Sequence, residues 1–105
     1  MTAPLPEHPA PLIAPEDIPY LPRGVRLADD RVRGIRVLQA PERAMQLDPI
    51  GHAILSELDG TRSMAHIARD LAARYEAPED QIARDLRDFL TGLIERRMVF
   101  LKDPA

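Results

Sequence analysis

The chain has 105 residues, no cysteine, and 14 basic against 17 acidic side chains, for a formal net charge of −3 with histidine neutral. That length and a 45% hydrophobic fraction provide for one modest core, and the missing cysteines exclude disulfides, thiolate metal sites and a cysteine nucleophile, as expected of a cytoplasmic protein. No apolar run approaches the ~20 residues that cross a bilayer, and the N-terminus lacks the basic start and apolar core of a secretory signal.

Residues 1–22 hold seven of the eleven prolines, together with Glu7, Glu16 and Asp17 and no lysine or arginine. Proline at this density favours an extended polyproline conformation and interrupts hydrogen-bonded ladders, so the segment reads as a Pro-rich flexible linker or tail preceding a folded domain over residues 23–105. Ile18, Tyr20 and Leu21 are expected to pack only loosely where the tail meets that domain. Residues 23–47 carry six arginines (Arg23, Arg26, Arg31, Arg33, Arg36, Arg43) against Asp29, Asp30 and Glu42. Such a surplus either keeps the outer face of a small sheet in water or attracts an acidic partner.

Residues 24–28 alternate in polarity, Asp29, Asp30 and Arg31 supply turn chemistry, and residues 33–37 alternate again with Ile35 and Val37 on one face, which predicts two antiparallel strands. After a turn at Ala40 and Pro41, a short third strand runs from Arg43 to Leu47, with Met45 and Leu47 facing one way and Ala44 and Gln46 the other. This strand is brief and leaves one backbone edge open to pairing with another chain.

Asp48 has the side-chain oxygen an N-cap needs, and Pro49 has the fixed φ and missing donor that suit the first helical position. A helix therefore starts there, with Ile50, Ala53, Ile54, Leu55 and Leu58 on its buried face and Gly60 to end it. Ser63 caps a second helix whose inner face is Met64, Ile67, Ala68, Leu71, Ala72 and Tyr75. Pro78, then Glu79 and Asp80, open a third, amphipathic helix carrying Ile82, Leu86, Phe89, Leu90, Leu93 and Ile94, with Arg96 and Arg97 expected in its last turn to match the helix dipole. Residues 98–101 are apolar and should pack back as a helix end or a stub of strand. The resulting fold is α+β and winged-helix-like: a three-stranded antiparallel β-meander followed by three α-helices.

Neither metal nor catalytic chemistry is indicated. His8, His52 and His66 never fall at a spacing that puts two ligands on one helical face. None of Ser56, Ser63, Thr61 and Thr91 sits in a nucleophile turn, Ser63 is accounted for as a cap, and the five glycines do not cluster into a phosphate-binding loop. The chain is therefore read as a non-enzyme without cofactor. A winged-helix shape raises nucleic-acid binding as the alternative, but the third helix sets Arg84, Arg87, Arg96 and Arg97 against Glu79, Asp80, Asp85, Asp88 and Glu95, whereas phosphate contacts demand a positive surplus.

One pattern is more specific. Leu38-x-x-Pro41-Glu42-Arg43, Leu47, Ala53-Ile54-Leu55, Asp59-Gly60-x-x-Ser63 and Ile67-Ala68-x-x-Leu71, continued by Asp85-Leu86-x-x-Phe89-Leu90-x-x-Leu93-Ile94, closely resemble the PqqD family of pyrroloquinoline quinone biosynthesis over residues 22–101. The resemblance implies a RiPP recognition element: a peptide chaperone that holds the precursor peptide PqqA and presents it to the radical-SAM enzyme PqqE, acting as a monomer. It further implies that the peptide adds as a strand beside the third strand, at Arg43, Ala44, Met45, Gln46 and Leu47, and lies against the third helix around Ile82, Asp85, Leu86 and Phe89. Some family members are fused behind the oxidase PqqC, and residues 1–22 look like the linker of such a fusion.

Overall fold

A computed structural model describes residues 13–102. In chain order it contains strands β1 (Pro19–Tyr20), β2 (Arg26–Asp30), β3 (Ile35–Ala40) and β4 (Arg43–Leu47), helices α1 (Pro49–Leu55), α2 (Met64–Tyr75) and α3 (Glu79–Glu95), and strand β5 (Phe100–Leu101). Strands β2, β3 and β4 form one antiparallel sheet in that order and the three helices follow it, which is the α+β arrangement the periodicities predict.

The meander takes its register from a two-residue connection, Pro41 and Glu42, that sets Ala40 opposite Arg43. Leu27, Leu38 and Met45 then lie opposite one another across the three strands, and Leu38 is fully buried. Ile35 and Val37 do share a face, but the core takes the alternate set, Leu38 and Ala40, because residues one apart point to opposite sides of a strand. The first meander strand starts two residues later than the alternation suggests. Gly24 has φ +88°, and the Val25 amide is bonded to the Pro22 carbonyl at 3.0 Å, so residues 22–25 form a turn. At the other end Asp29 and Asp30 still pair with β3, and the Asp30 carboxylate accepts the amides of Val32 and Arg33 at 3.1 Å to close the turn beyond them.

The helices begin where their caps require. Asp48 Oδ1 accepts the Gly51 amide at 2.6 Å, with Pro49 next to it in the first turn, and Ser63 Oγ accepts the His66 amide at 3.2 Å. α1 ends sooner than expected, at Leu55, and Gly60, with φ +78°, falls in the following loop. That loop is organised by polar contacts instead. Arg62 spans the carboxylates of Asp59 (2.9 Å) and Asp70 (2.8 Å) and donates to the Glu57 carbonyl (2.7 Å), while Arg74 reaches Glu57 Oε2 at 2.8 Å. α3 stops at Glu95, so Arg96 and Arg97 lie beyond the last turn expected for them. Arg97 adopts φ +59°, its amide bonds to the Ile94 carbonyl and that of Met98 to the Leu93 carbonyl, both at 2.9 Å, a left-handed cap that turns Met98 and Val99 into the core.

Residues 13–22, read from their prolines as tail, carry structure. β1 pairs antiparallel with β5, so the apolar end of the chain becomes a stub of strand. Ile13 is buried in the core cluster, and the carbonyls of Asp17 and Pro15 accept the amides of Met64 (2.8 Å) and Ala65 (2.9 Å), two of the donors that the start of α2 leaves without helical partners. Proline has no amide, but its carbonyl remains an acceptor, which is why a Pro-rich segment can act here as a strap. The flexible linker expected over the remainder of the lead, with His8 in it, lies outside the described residues.

Candidate functional site

The third meander strand is where the sequence places it, over Arg43–Leu47, and it is an edge: β4 pairs with β3 on one side only. Its two rows of backbone groups can be told apart. Across a two-residue turn the closing pair Ala40 and Arg43 is of the hydrogen-bonded kind, and the pattern alternates from there, so Arg43, Met45 and Leu47 bond inward to β3. Ala44 and Gln46 direct N–H and C=O outward. Both are exposed, while Met45 is half-buried against the core and Leu47 is buried, the two-sided strand that the alternation predicts.

The C-terminal end of helix α3 comes beside this edge. Near the turn end of β4, an Arg43 guanidinium nitrogen donates to the Arg96 carbonyl, and Arg96 Nη1 lies 3.7 Å from Met45 Sδ. Beyond the other end of β4, α1 comes so close to Phe89 that a Cβ on buried Gly51 would stand 3.1 Å from Phe89 Cζ. The groove at this edge is lined by Arg43, Ala44, Met45, Arg96 and Met98.

A separate apolar cavity of about 360 Å³ lies between α1, α2 and α3. Ile82, Asp85 and Leu86 line it from α3, Pro49, Ile50, Ala53 and Ile54 from α1, and Leu71 and Tyr75 from α2, so that Asp85 is its one charged wall. Burial separates the α3 residues that the sequence left together. Leu86 is 1% exposed and belongs to the core, Ile82 and Phe89 are half-buried and pack against it, and Asp85 is exposed. Ile50 and Tyr75, assigned by periodicity to inner faces, are 72% and 57% exposed. A short helix and the last turn of another present them at the cavity instead of burying them. Sequence reasoning missed both as site residues, although a large apolar side chain in a first or last helical turn is a signal that could have found them. Arg96 was missed too, since only the tertiary fold brings it beside Met45.

The groups with displaced ionisation lie away from this groove. Hydrogen bonding from the Arg74 guanidinium holds the Glu57 carboxyl below its ordinary range; burial opposes it and Arg62 assists it. The Asp59 carboxylate is lowered by the backbone amides of Thr61 and Arg62, which it accepts at 2.9 and 3.1 Å. These groups pin the loop between α1 and α2. Among the described residues, no group of three or more acidic or histidine side chains is placed to hold a metal ion. What the edge and the cavity offer together is an open strand edge, an apolar floor and one carboxylate, an arrangement suited to an extended peptide.

Comparison with known proteins agrees in where it places the chain. The family model described as coenzyme PQQ synthesis protein D (PqqD) matches residues 36–99. A "PqqA binding protein" of Rhizobium meliloti is 49% identical over 90 residues, which is 86% of this chain and 92% of that protein. A bifunctional coenzyme PQQ synthesis protein C/D of Methylorubrum extorquens is 42% identical over 83 residues, 79% of this chain but 22% of that longer protein. Among solved structures, the solution structure of the PqqD truncation of Methylobacterium extorquens PqqCD, described as a functional and stand-alone RiPP recognition element, superimposes with a TM-score of 0.73 at 40% identity, covering 84% of this chain and 94% of that one.

Proposed function

The chain belongs to the PqqD family, and from that premise we propose that it binds the precursor peptide PqqA at the β4 edge and presents it to the radical-SAM enzyme PqqE. The observation that carries this reading is the open edge itself: two outward amides, Ala44 and Gln46, beside a half-buried apolar strip ending at Phe89. An added strand would draw its affinity from main-chain hydrogen bonds and its selectivity from alternate side chains, one set facing Met45, Leu47 and Phe89 and the other facing water. Ile82, Asp85 and Leu86, at the separate cavity, would then meet the peptide where it leaves the sheet.

In this role the protein is a carrier and not a catalyst, and it works in the cytoplasm as a monomer. Titration of the protein with labelled PqqA, beside an equal titration with duplex DNA, tests the proposal. It predicts saturable one-to-one binding of the peptide and no binding of the duplex. Binding of the duplex without the peptide would contradict it.

A further inference from the structure

At its turn end the β4 edge carries two guanidinium groups. The groove there has a volume of about 300 Å³, and Arg43 and Arg96 on its rim are both exposed. Among the described residues no ion pair engages either of them. Glu42 and Glu95 precede the two arginines in the chain, but neither forms an ion pair with them among the described residues.

The two differ in what holds them. Arg43 donates to the Arg96 carbonyl, where it closes the C-terminal end of α3, and structure alone accounts for it. The Arg96 guanidinium has no such account. Its Nη1 lies 3.7 Å from Met45 Sδ, and a thioether is only a weak acceptor. A planar fork of donors is thus set at the strand edge with no carboxylate to receive it, on a backbone that the bond from Arg43 keeps in place.

Register identifies the group it meets. Arg43, Met45 and Leu47 share one face of β4, and a strand added at this edge sets alternate side chains on that same face, about 5 Å from theirs. The peptide side chain beside Met45 therefore comes within reach of Arg96. Met45 is the middle residue of β4, so that position lies inside the added strand and not at its end.

On these grounds we infer that Arg96 is a specificity-determining residue of the edge, which receives the side-chain carboxylate of an aspartate or glutamate in the bound peptide, beside Met45. This rests on the strand addition proposed above, and it adds a selectivity that main-chain hydrogen bonds lack, since those accept any sequence. It also fixes register. A peptide slipped by one residue turns its acid to the opposite face, away from the guanidinium.

The test is a double-mutant cycle on the full chain with PqqA as the probe. Each aspartate and glutamate of PqqA is replaced in turn by its amide, and one further peptide is amidated at its C-terminus. All are titrated into wild type, Arg96→Gln and Arg97→Gln at low and at physiological salt. Arg97 is the control, because it follows Arg96 directly but lines a different surface with Ile94, Val99 and Phe100. Expected are a loss of about tenfold in PqqA affinity for Arg96→Gln, in keeping with one hydrogen bond to a charged group, and unchanged affinity for Arg97→Gln. One side-chain amide peptide should bind wild type about tenfold more weakly than PqqA, yet bind Arg96→Gln as well as PqqA does. Wild-type binding should also weaken more steeply with salt than that of Arg96→Gln. The assignment is overturned if Arg96→Gln binds like wild type, if Arg97→Gln loses as much, if no side-chain amide peptide binds wild type more weakly, or if only the C-terminal amide does. Those outcomes leave the peptide on the β4 edge, whereas retained binding by Ala44→Pro and Gln46→Pro, titrated alongside, removes the edge and this contact with it.

Discussion

At the scale of the residue, Leu86 and Phe89 show how burial divides a stripe that looks uniform in sequence. Both fall on the apolar face of α3, yet Leu86 is sealed in the core while Phe89 is half-buried at the groove beside Gly51. Leu86→Ala should cost about 2–5 kcal/mol, the usual range for a buried leucine, a large share of the stability of so small a domain. Phe89→Ala should cost less stability and more peptide affinity. Asp85→Asn should leave the melting temperature unchanged, because the carboxylate is exposed on the cavity wall. Thermal melts paired with PqqA titrations check all three; equal destabilisation by Leu86→Ala and Phe89→Ala would show that Phe89 is core and not groove. The stripe was legible from its 3.6-residue period, but the period cannot say which of its members a neighbouring helix covers.

Among the elements, the bounds of β4 were fully legible, as were those of α2, because its limits are local chemistry: Pro41 turns the chain before it and Asp48 caps a helix after it. The direction of its amides was not legible, since that depends on pairing with β3. With the register known, proline substitutions become directional. Ala44→Pro and Gln46→Pro remove outward donors and should abolish PqqA binding while the far-ultraviolet circular dichroism is retained. Met45→Pro removes an inward donor opposite Leu38 and should unfold the meander. Retained binding by both folded outward variants would place the peptide elsewhere. The loop between α1 and α2 was read as the tail of a longer α1, because Leu58 and Gly60 fit that pattern; what ends α1 early is the hydrogen-bonding of Glu57, Asp59 and Arg62, which no periodicity reports. Glu57 ionises below its unfolded value, so its contribution to stability is complete above the ordinary carboxylate range and is lost as pH falls through the lower, folded value. Glu57→Gln should therefore lower the melting temperature at pH 7, and the gap to wild type should close below about pH 4. A gap that persists in acid would mean that the side chain acts through packing alone.

Across the described residues, the first and last strands meet: β1 and β5 pair, Tyr20 packs edge to face on Phe100 with ring centroids 6.3 Å apart, and residues 13–17 cap α2 and fill a corner of the core. Composition hid this, because proline density measures what a segment cannot donate and says nothing of the carbonyls and side chains it offers to others. Removing residues 1–12 should accordingly leave the melting temperature unchanged, while removing residues 1–22 should destabilise the domain by about the cost of a buried large side chain or more. Equal melting of the two truncated forms would mean that the strap contributes nothing. The strap and the groove lie on different parts of the fold, which makes a residue-by-residue footprint of the bound peptide the most direct test of the account. Amide hydrogen exchange should be followed over the whole chain in free protein and in protein saturated with PqqA. Strand addition at β4 predicts that the amides of Ala44 and Gln46 exchange freely without peptide and become protected with it, while that of Met45 is protected in both states. Ala44 and Gln46 amides that exchange equally fast with and without bound PqqA would contradict it.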